Sequence, residues 1–261
     1  MDEFQRFRLD GRVAVVAGGS GGIGLRACEA LAGVGAKVTI IGQSPERLAA
    51  AKKAVEAAGS EALAIAADMH SKADADRAVA DTVERFGRLD ILVNAVGGGA
   101  GTALYAAEEY PETEWDRIVD LNLRTTLLPS QAAVRAMIAA GNGGRILNLS
   151  SVRGQLGLNA GYSAYVASKG AINALTRQYA TEWAKYGITV NAISPTFVRT
   201  EMVASMLADK DFYDRLVARI PLGRIAEPDD LVGAVLFFCS DASAFVTGQV
   251  LTLDGGLTAT Q

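Results

Sequence analysis

The strongest constraint on the fold is a regular alternation of short apolar segments with longer segments of helical periodicity. The apolar segments are the expected strands, at 12–17, 37–42, 61–68, 89–97, 143–151, 188–195 and 248–256. The helical segments lie at 25–36, 45–59, 72–87, 114–140, 164–187 and 228–241, with two further helical pieces within 200–219. Strands that alternate with helices in this way form parallel sheets buried on both faces. We therefore expect an α/β fold, a single doubly wound Rossmann-type domain over 1–261 with about seven parallel strands and helices on both faces.

This topology predicts where a ligand would bind. In doubly wound sheets, ligands lie beyond the carboxyl ends of the strands. The loops after the first, fourth, fifth and sixth strands are therefore the candidate functional loops, at 18–24, 94–101, 150–161 and 195–200.

Composition excludes several classes of protein. Half of the residues are hydrophobic and 21% are charged, which is enough apolar surface for a large core and argues against disorder. The net charge of −4 leaves no basic excess for nucleic-acid binding. The longest apolar run, near 231–239, is too short to span a bilayer, so no membrane partner is expected. The first residues, MDEFQRFRLDG, lack the apolar region of a secretory signal.

The cysteines and the histidine carry less information. Cys28 and Cys239 lie in apolar helical contexts, which predicts buried free thiols and suits the reducing cytoplasm. His70 is the one histidine and is expected in a loop. A single histidine excludes a metal site built on several histidines, and we expect no metal.

A glycine-rich segment, AGGSGGIG at 17–24, separates the first strand from the first helix. Glycines at such a turn let the backbone approach a pyrophosphate, and the helix N-terminus supplies N–H donors. The spacing of Gly18, Gly22 and Gly24 is G-x3-G-x-G rather than G-x-G-x-x-G. The segment predicts a dinucleotide site, and the alternative is a tight turn that serves packing alone.

A tyrosine and a lysine stand four residues apart at the start of the helical segment 164–187. Tyr165 and Lys169 would share one face of that helix. An ammonium group beside a phenol favours the phenolate and lowers its pKa from about 10, which makes Tyr165 a candidate general acid and base. The pair alone is a weak motif, and the alternative is an aromatic residue in a buried helix.

Together these segments resemble the short-chain dehydrogenase/reductase family over nearly the whole chain. The resemblance is carried by GGSGGIG (18–24), VNAVG (93–97), DLNL (120–123), LSS (149–151), YVASK (165–169), VNAISPTFVRT (190–200) and FVTGQVLTLDGG (245–256). The order and spacing of the segments agree with the family as well as their letters. The chain departs from the family pattern at Ala17, Ala95 and Thr196, and neither of the changes at Ala95 and Thr196 removes a reactive group.

The resemblance implies an oxidoreductase that transfers a hydride between NAD(P)(H) and a carbonyl or secondary alcohol. The implied catalytic residues are Asn122, Ser151, Tyr165 and Lys169. The family serine commonly stands thirteen residues before the tyrosine, where this chain has Val152. One inserted residue explains the offset and favours Ser151, with Ser150 as the rival.

The resemblance also implies a cofactor site. Its residues are Gly18, Ser20, Gly22, Ile23, Gly24, Gln43, Ser44, Asp68, Met69, Asn94, Tyr165, Lys169, Val198 and Thr200. The second strand ends at Gly42 without the carboxylate that would repel a 2′-phosphate, and Gln43 and Ser44 follow as hydrogen-bonding groups. These features favour NADP, with NAD as the alternative.

The substrate is less constrained. The segment 197–224 is the expected variable substrate lid. Arg153 and Arg199 lie near the predicted mouth of the site, where either could bind a carboxylate or sugar hydroxyls. The alternative is that they are solvated surface residues. The stretch TRQYATEWAKYGITVNAISP resembles gluconate 5-dehydrogenase-like members, so a small ketone, polyol or sugar acid is expected. The alternative is a 3-oxoacyl-[acyl-carrier-protein] reductase, which the uncharged IAAGNGG before the fifth strand disfavours. An alternative from a different class is a non-catalytic dinucleotide sensor. Such a protein would lose the Tyr–Lys pair, which this chain keeps. The family also implies a homotetramer in the cytoplasm.

Overall fold

A parallel sheet organises the chain. The computed structural model describes residues 3–99, 101 and 103–260, and within them seven strands form one sheet. The strands are β1 (Val13–Ala17), β2 (Lys37–Gly42), β3 (Ala62–Ala66), β4 (Ile91–Asn94), β5 (Gly144–Leu149), β6 (Ile188–Pro195) and β7 (Val250–Leu253). Their order is β3-β2-β1-β4-β5-β6-β7, and every pair is parallel. The order reverses between β1 and β4, which is the switch point where ligands bind in such sheets. The predicted doubly wound fold is confirmed.

The helices fall close to their expected positions. They are α1 (Gly22–Gly33), α2 (Pro45–Ala57), α3 (Lys72–Phe86), α4 (Glu112–Ala140), α5 (Ser163–Trp183), α6 (Ala204–Ala208), α7 (Lys210–Val217) and α8 (Val232–Cys239). Local capping explains several bounds. The Ser44 side chain accepts a hydrogen bond from the Arg47 amide at the start of α2, and α3 ends at Gly87 with φ of 80°.

Five strands are shorter than the sequence predicts, and β3, β4, β5 and β7 are shorter by three residues or more; β5 was expected at 143–151 and β7 at 248–256. The third was expected at 61–68 and ends at Ala66, and the fourth was expected at 89–97 and ends at Asn94. The residues that follow these strands form loops at the carboxyl edge of the sheet instead of extending it. Some of these loop residues are apolar because the loops too are partly buried. The apolar segments of the sequence therefore extend beyond the ends of the strands.

Helices cover both faces of the sheet. Val16 and Ile40 contribute to the core on the face of α1, α2 and α8, whereas Val15 and Leu92 contribute to the core on the face of α3, α4 and α5. Successive strand residues point to opposite faces, so both faces of each central strand are apolar.

The cysteines agree with the prediction. Cys28 and Cys239 are buried free thiols, and burial raises the pKa of Cys239 to about 12. His70 lies in a turn, as expected. Within the described parts of the chain, no helix is both long and apolar enough to cross a membrane.

Candidate active site

One large cavity opens at the carboxyl edge of the sheet, where the predicted functional loops meet. Its volume is about 660 Å³. The predicted site residues that line it are Gly18, Ser20, Gly22, Ile23, Gly24, Gln43, Ser44, Asp68, Met69, Ser151, Tyr165, Lys169, Val198 and Thr200. The two remaining predictions, Asn94 and Asn122, lie behind the cavity wall.

The glycine loop forms one end of this cavity. Gly18 has φ of 81°, and a Cβ there would lie 2.9 Å from the carbonyl carbon of Ala95. A Cβ at Gly24 would lie 2.8 Å from the carbonyl carbon of Gly18 and closer still to its oxygen. Gly21 caps α1 without a side-chain hydrogen bond, so the first N–H groups of the helix are available to a ligand. This cradle fits the pyrophosphate of a dinucleotide.

The start of α2 forms the neighbouring wall. Gln43 and Ser44 line the cavity, and so does Arg47, which sequence analysis missed. The Arg47 guanidinium forms an ion pair with Glu201 of the expected lid. The sequence feature that could have identified Arg47 is its position three residues after Ser44, in the first turn of the helix. These three side chains offer hydrogen bonds and one positive charge where a 2′-phosphate would lie.

An aspartate and the histidine line the wall beside β3. Asp68 Oδ1 accepts a hydrogen bond from the His70 amide at 3.0 Å, and His70 Nδ1 lies 2.9 Å from the same oxygen. These hydrogen bonds hold the pKa of Asp68 below its ordinary value. His70 was expected in a loop, but nothing in the sequence indicates that it lines the cavity.

The two serines after β5 have different partners. Burial raises the pKa of Tyr165, and a hydrogen bond between the Ser151 side chain and the phenol opposes this effect. Ser150 Oγ donates instead to the carbonyl oxygen of Lys169 at 3.3 Å. Ser151 therefore faces the tyrosine, and Ser150 faces the backbone of α5.

The pKa of Tyr165 departs from the sequence-based expectation. Burial of the phenol raises its pKa, and the hydrogen bond from Ser151 offsets only part of this effect. Lys169 Nζ lies 5.8 Å from the centroid of the Tyr165 ring and donates to the carbonyl oxygen of Leu149 at 2.9 Å. The expectation that Lys169 holds the tyrosine pKa below 10 is therefore wrong for this structure, because the ammonium is bonded elsewhere. Burial also lowers the pKa of Lys169 to about 8.

The low pKa of Lys169 predicts how stability changes with pH. The folded lysine loses its proton near pH 8, whereas an unfolded lysine does so near about pH 10.4. Between these values the unfolded chain binds more protons, so the free energy of unfolding rises with pH. We expect the wild type to gain about 2 kcal/mol relative to Lys169→Met between about pH 7 and 9.5. Urea unfolding of both proteins at both pH values measures this gain.

The methionine variant lacks the hydrogen bond to Leu149 at both pH values. Loss of this bond therefore shifts the stability difference between the two proteins by the same amount at each pH. Only the change in the difference between the two proteins is informative. A difference that stays constant with pH would contradict the depressed lysine pKa.

The two asparagines behind the wall support the site from the interior. Asn94 Nδ2 donates to Ser130 Oγ and to Asn148 Oδ1, both at 2.9 Å, so its side chain joins β4 to α4 and β5. Asn94 does not line the cavity, and its role in cofactor binding stays a prediction. Asn122 bonds to both the N–H and the carbonyl of Gly98, at 3.1 and 3.0 Å.

Gly97 stands between Asn122 and the lysine. A Cβ at Gly97 would lie 2.7 Å from Asn122 Oδ1 and 3.2 Å from Lys169 Nζ. Asn122 therefore fixes the loop against which the lysine lies.

The two arginines near the predicted mouth differ in environment. Arg199 is 49% exposed in its side chain and donates to Glu227 at 2.8 Å, so it is a paired surface residue. Arg153 is 6% exposed and lines the cavity together with Tyr162. Sequence analysis also missed Tyr162, whose ring contacts that of Tyr165 edge-on at a centroid distance of 6.4 Å.

Comparison with known proteins agrees with this geometry. Residues 17–258 match the family described as enoyl-(acyl carrier protein) reductase. Gluconate 5-dehydrogenase of Gluconobacter oxydans is 38% identical over 252 residues, which cover 97% of this chain and 96% of that protein. Galactitol 2-dehydrogenase (L-tagatose-forming) of Cereibacter sphaeroides is 38% identical over 259 residues, 99% of each chain.

A solved structure agrees as well. It is a gluconate 5-dehydrogenase from Burkholderia cenocepacia in complex with NADP and tartrate, 36% identical, with a TM-score of 0.90 and coverage of 97% of this chain and 98% of that one. The match extends over nearly the whole of both chains. The chain belongs to the short-chain dehydrogenase/reductase family and is an oxidoreductase.

Proposed function

We propose that this oxidoreductase transfers a hydride between NADP(H) and the carbonyl or secondary alcohol of a small ketone, polyol or sugar acid. The observation that carries the proposal is that Ser151, Tyr165 and Lys169 line the same cavity as the glycine loop. A dinucleotide on that loop would extend toward the tyrosine, and the substrate would lie beside it.

Each side chain has a role in this reaction. A bound nicotinamide supplies or accepts the hydride. In the direction of reduction, Tyr165 donates its proton to the substrate oxygen, and its raised pKa keeps that proton in place until it is needed. Ser151 donates a hydrogen bond to the same oxygen as negative charge develops on it. Lys169 binds the hydroxyls of the nicotinamide ribose.

Asn122 acts as a positioning residue in this proposal. Its two hydrogen bonds to Gly98 hold the loop beside Lys169. A water held near Asn122 would connect the lysine to solvent and restore the proton after each turnover.

The remaining residues are assigned to the cofactor. Thr200 and the backbone of Val198 would hold the carboxamide, and Asp68 and Met69 would contact the adenine. Gln43, Ser44 and Arg47 would bind the 2′-phosphate, which favours NADP over NAD. The related gluconate 5-dehydrogenase structure holds NADP, which supports the same preference here.

The cofactor assignment predicts the effect of removing Arg47. Arg47→Ala should weaken NADPH binding by about tenfold and leave NADH binding nearly unchanged, because only NADPH carries the phosphate. Titration of protein fluorescence with each cofactor measures both affinities. Lys53→Ala is the matched control, since Lys53 is an exposed cation of the same helix that does not line the cavity. Equal losses for both cofactors would contradict the assignment.

The two serines give a second prediction. Ser151→Ala should lower kcat by about a hundredfold or more, because it removes a hydrogen bond made to the developing negative charge. Ser150→Ala should cost less than about tenfold, since its hydroxyl is bonded to the backbone of Lys169. Steady-state kinetics of both variants with one substrate decides between them, and a larger loss for Ser150→Ala would reverse the assignment.

The proposal as a whole is tested with the unmodified protein. Fluorescence titration with NADPH and NADH comes first, followed by a screen of ketones, polyols and sugar acids for a change in the absorbance of the reduced nicotinamide. Failure to bind either cofactor would overturn the proposal.

The alternatives have less support. A 3-oxoacyl-[acyl-carrier-protein] reductase would need basic residues where an acidic carrier docks, whereas the exposed segment 138–142, at the end of α4 and just after it, carries no charge. A non-catalytic sensor has no use for Tyr165 and Lys169.

The homotetramer and the cytoplasmic location stay predictions. The exposed side chains of Phe245 and Leu251, beside and within β7 at the edge of the sheet, support self-association.

A further inference from the structure

A buried arginine at the cavity lacks the partner that buried charges normally have. Arg153 is 6% exposed, and no carboxylate is among the charged groups that act on it in the described part of the chain. Buried charges are usually paired, because an isolated one pays a large desolvation cost. Asp90 shows the usual arrangement, since it is buried and lies 2.6 Å from Arg88.

The hydrogen-bonding capacity of Arg153 is also largely unused. Its Nη1 donates to the carbonyl oxygen of Gly157 at 3.3 Å, and this is the single side-chain hydrogen bond that the described residues give it. A guanidinium carries five N–H donors in a planar fork that matches a carboxylate. Most of these donors are therefore left for a ligand.

The charged and titratable neighbours of this guanidinium do not neutralise it. Arg219 is a like charge, and Tyr162 and Tyr165 are phenols. Burial and the like charge of Arg219 both lower the pKa of Arg153. The charged guanidinium is therefore energetically unfavourable at this position without an anion beside it. An anion bound there would remove that penalty.

The other charged residues that line the cavity do not offset the positive charge at the end beside Tyr165. Arg47 is paired with Glu201, and Asp68 is bonded to His70. Arg153 and Lys169 are the cations that the described lining residues do not neutralise with a carboxylate. The cavity therefore favours an anion beside the tyrosine, although the whole chain carries a net charge of −4.

The backbone holds Arg153 rigidly beside the reactive hydroxyls. Ser151 Oγ accepts a hydrogen bond from the Arg153 amide at 3.2 Å, which joins the two residues in one short turn. The turn packs directly on α5, because a Cβ at Gly154 would lie 2.7 Å from both the carbonyl oxygen of Lys169 and Asn173 Nδ2. Arg153 is thus fixed relative to Ser151 and to the helix that carries Tyr165.

We propose that Arg153 binds a carboxylate of the substrate, so that the enzyme acts on a short hydroxy or oxo acid rather than on a neutral polyol. The inference rests on the proposed function and narrows its substrate class. Arg199 does not serve this role, because it is exposed and paired with Glu227. A phosphate group presents similar anionic chemistry, and the experiment separates the two.

The test uses matched acids and neutral polyols with the full chain saturated with NADP⁺. Calorimetric titrations compare tartrate with threitol and gluconate with glucitol, which differ in their terminal carboxylates, and inorganic phosphate is titrated separately. Each acid should bind at least about tenfold more tightly than its neutral counterpart. No preference in the wild-type protein would overturn the proposal, and tighter binding of phosphate than of both acids would overturn the assignment to a carboxylate.

Variants identify the residue. Arg153→Gln should abolish the preference for acids, Arg153→Lys should retain part of it, and both should bind NADP⁺ as the wild type does. Arg85→Gln is the matched control, because Arg85 is exposed, pairs with Glu61 and does not line the cavity. A preference that survives in Arg153→Gln would overturn the role of this residue.

Thermal unfolding separates binding from a structural role. Removal of an unpaired buried charge should leave the unfolding temperature of Arg153→Gln equal to or above that of the wild type. Tartrate should raise the unfolding temperature of the wild type by mass action and leave that of the variant unchanged. A large drop for the variant alone would indicate that Arg153 serves stability instead. Absence of NADP⁺ binding would contradict the proposed function itself, and the cofactor titration shows that outcome separately.

Discussion

Replacement of Tyr165 by phenylalanine should lower turnover by about a hundredfold to ten-thousandfold while the protein still binds its cofactor. The change removes one hydroxyl, and with it the proton that the proposed reaction exchanges with the substrate oxygen. The ring remains to pack against Tyr162 and beneath Lys169, so the fold of the site should be retained. Steady-state kinetics and a fluorescence titration with NADPH measure the two effects separately.

The neighbouring tyrosine provides the control. Tyr162→Phe removes a hydroxyl from a side chain that lines the same cavity, but Lys169 lies four residues after Tyr165 and not after Tyr162. The loss for Tyr162→Phe should therefore be much smaller than for Tyr165→Phe. Retained turnover in Tyr165→Phe, or a larger loss in Tyr162→Phe, would show that the proton comes from another group.

The fold could be predicted from the sequence because its signals are local. Apolar strands that alternate with helices specify a parallel sheet, and residues such as Pro45 and Gly87 mark where individual helices begin and end. The carboxyl edge of the sheet then brings together loops that are distant in sequence. For this reason the loops 18–24 and 150–161 could be assigned to one cavity from the sequence, whereas the choice of Ser151 within the second loop came from the resemblance to the family.

Properties that depend on packing could not be read in the same way. The spacing of Tyr165 and Lys169 predicts that they share a helix face, but not that the ammonium bonds to Leu149 and leaves burial to raise the tyrosine pKa. Likewise, the letters near Arg153 and Arg199 do not distinguish a buried arginine from a surface one. Arg199 finds its partner in Glu227, twenty-eight residues away, which only the tertiary structure reveals.

The second large effect is expected at the glycine loop, where Gly24→Ala should weaken cofactor binding by about a hundredfold or more. The added Cβ would lie 2.8 Å from the carbonyl carbon of Gly18 and would collide with backbone that cannot rotate away. A displacement of about 1 Å in a binding loop is enough for a loss of this size. The same collision should cost about 1–3 kcal/mol of stability, which equals or exceeds the gain of about 1 kcal/mol from the helix propensity of alanine.

Gly33 gives a control within the same helix. It is the last residue of α1, it is exposed, and a Cβ there would meet no atom within 4 Å. Gly33→Ala should therefore leave cofactor affinity unchanged and raise stability by up to about 1 kcal/mol, because alanine restricts the unfolded chain. NADPH titration and urea unfolding of both variants make the comparison. If Gly24→Ala bound NADPH as tightly as the wild type, the close approach of α1 to Gly18 would serve packing alone, and the dinucleotide would have to bind elsewhere.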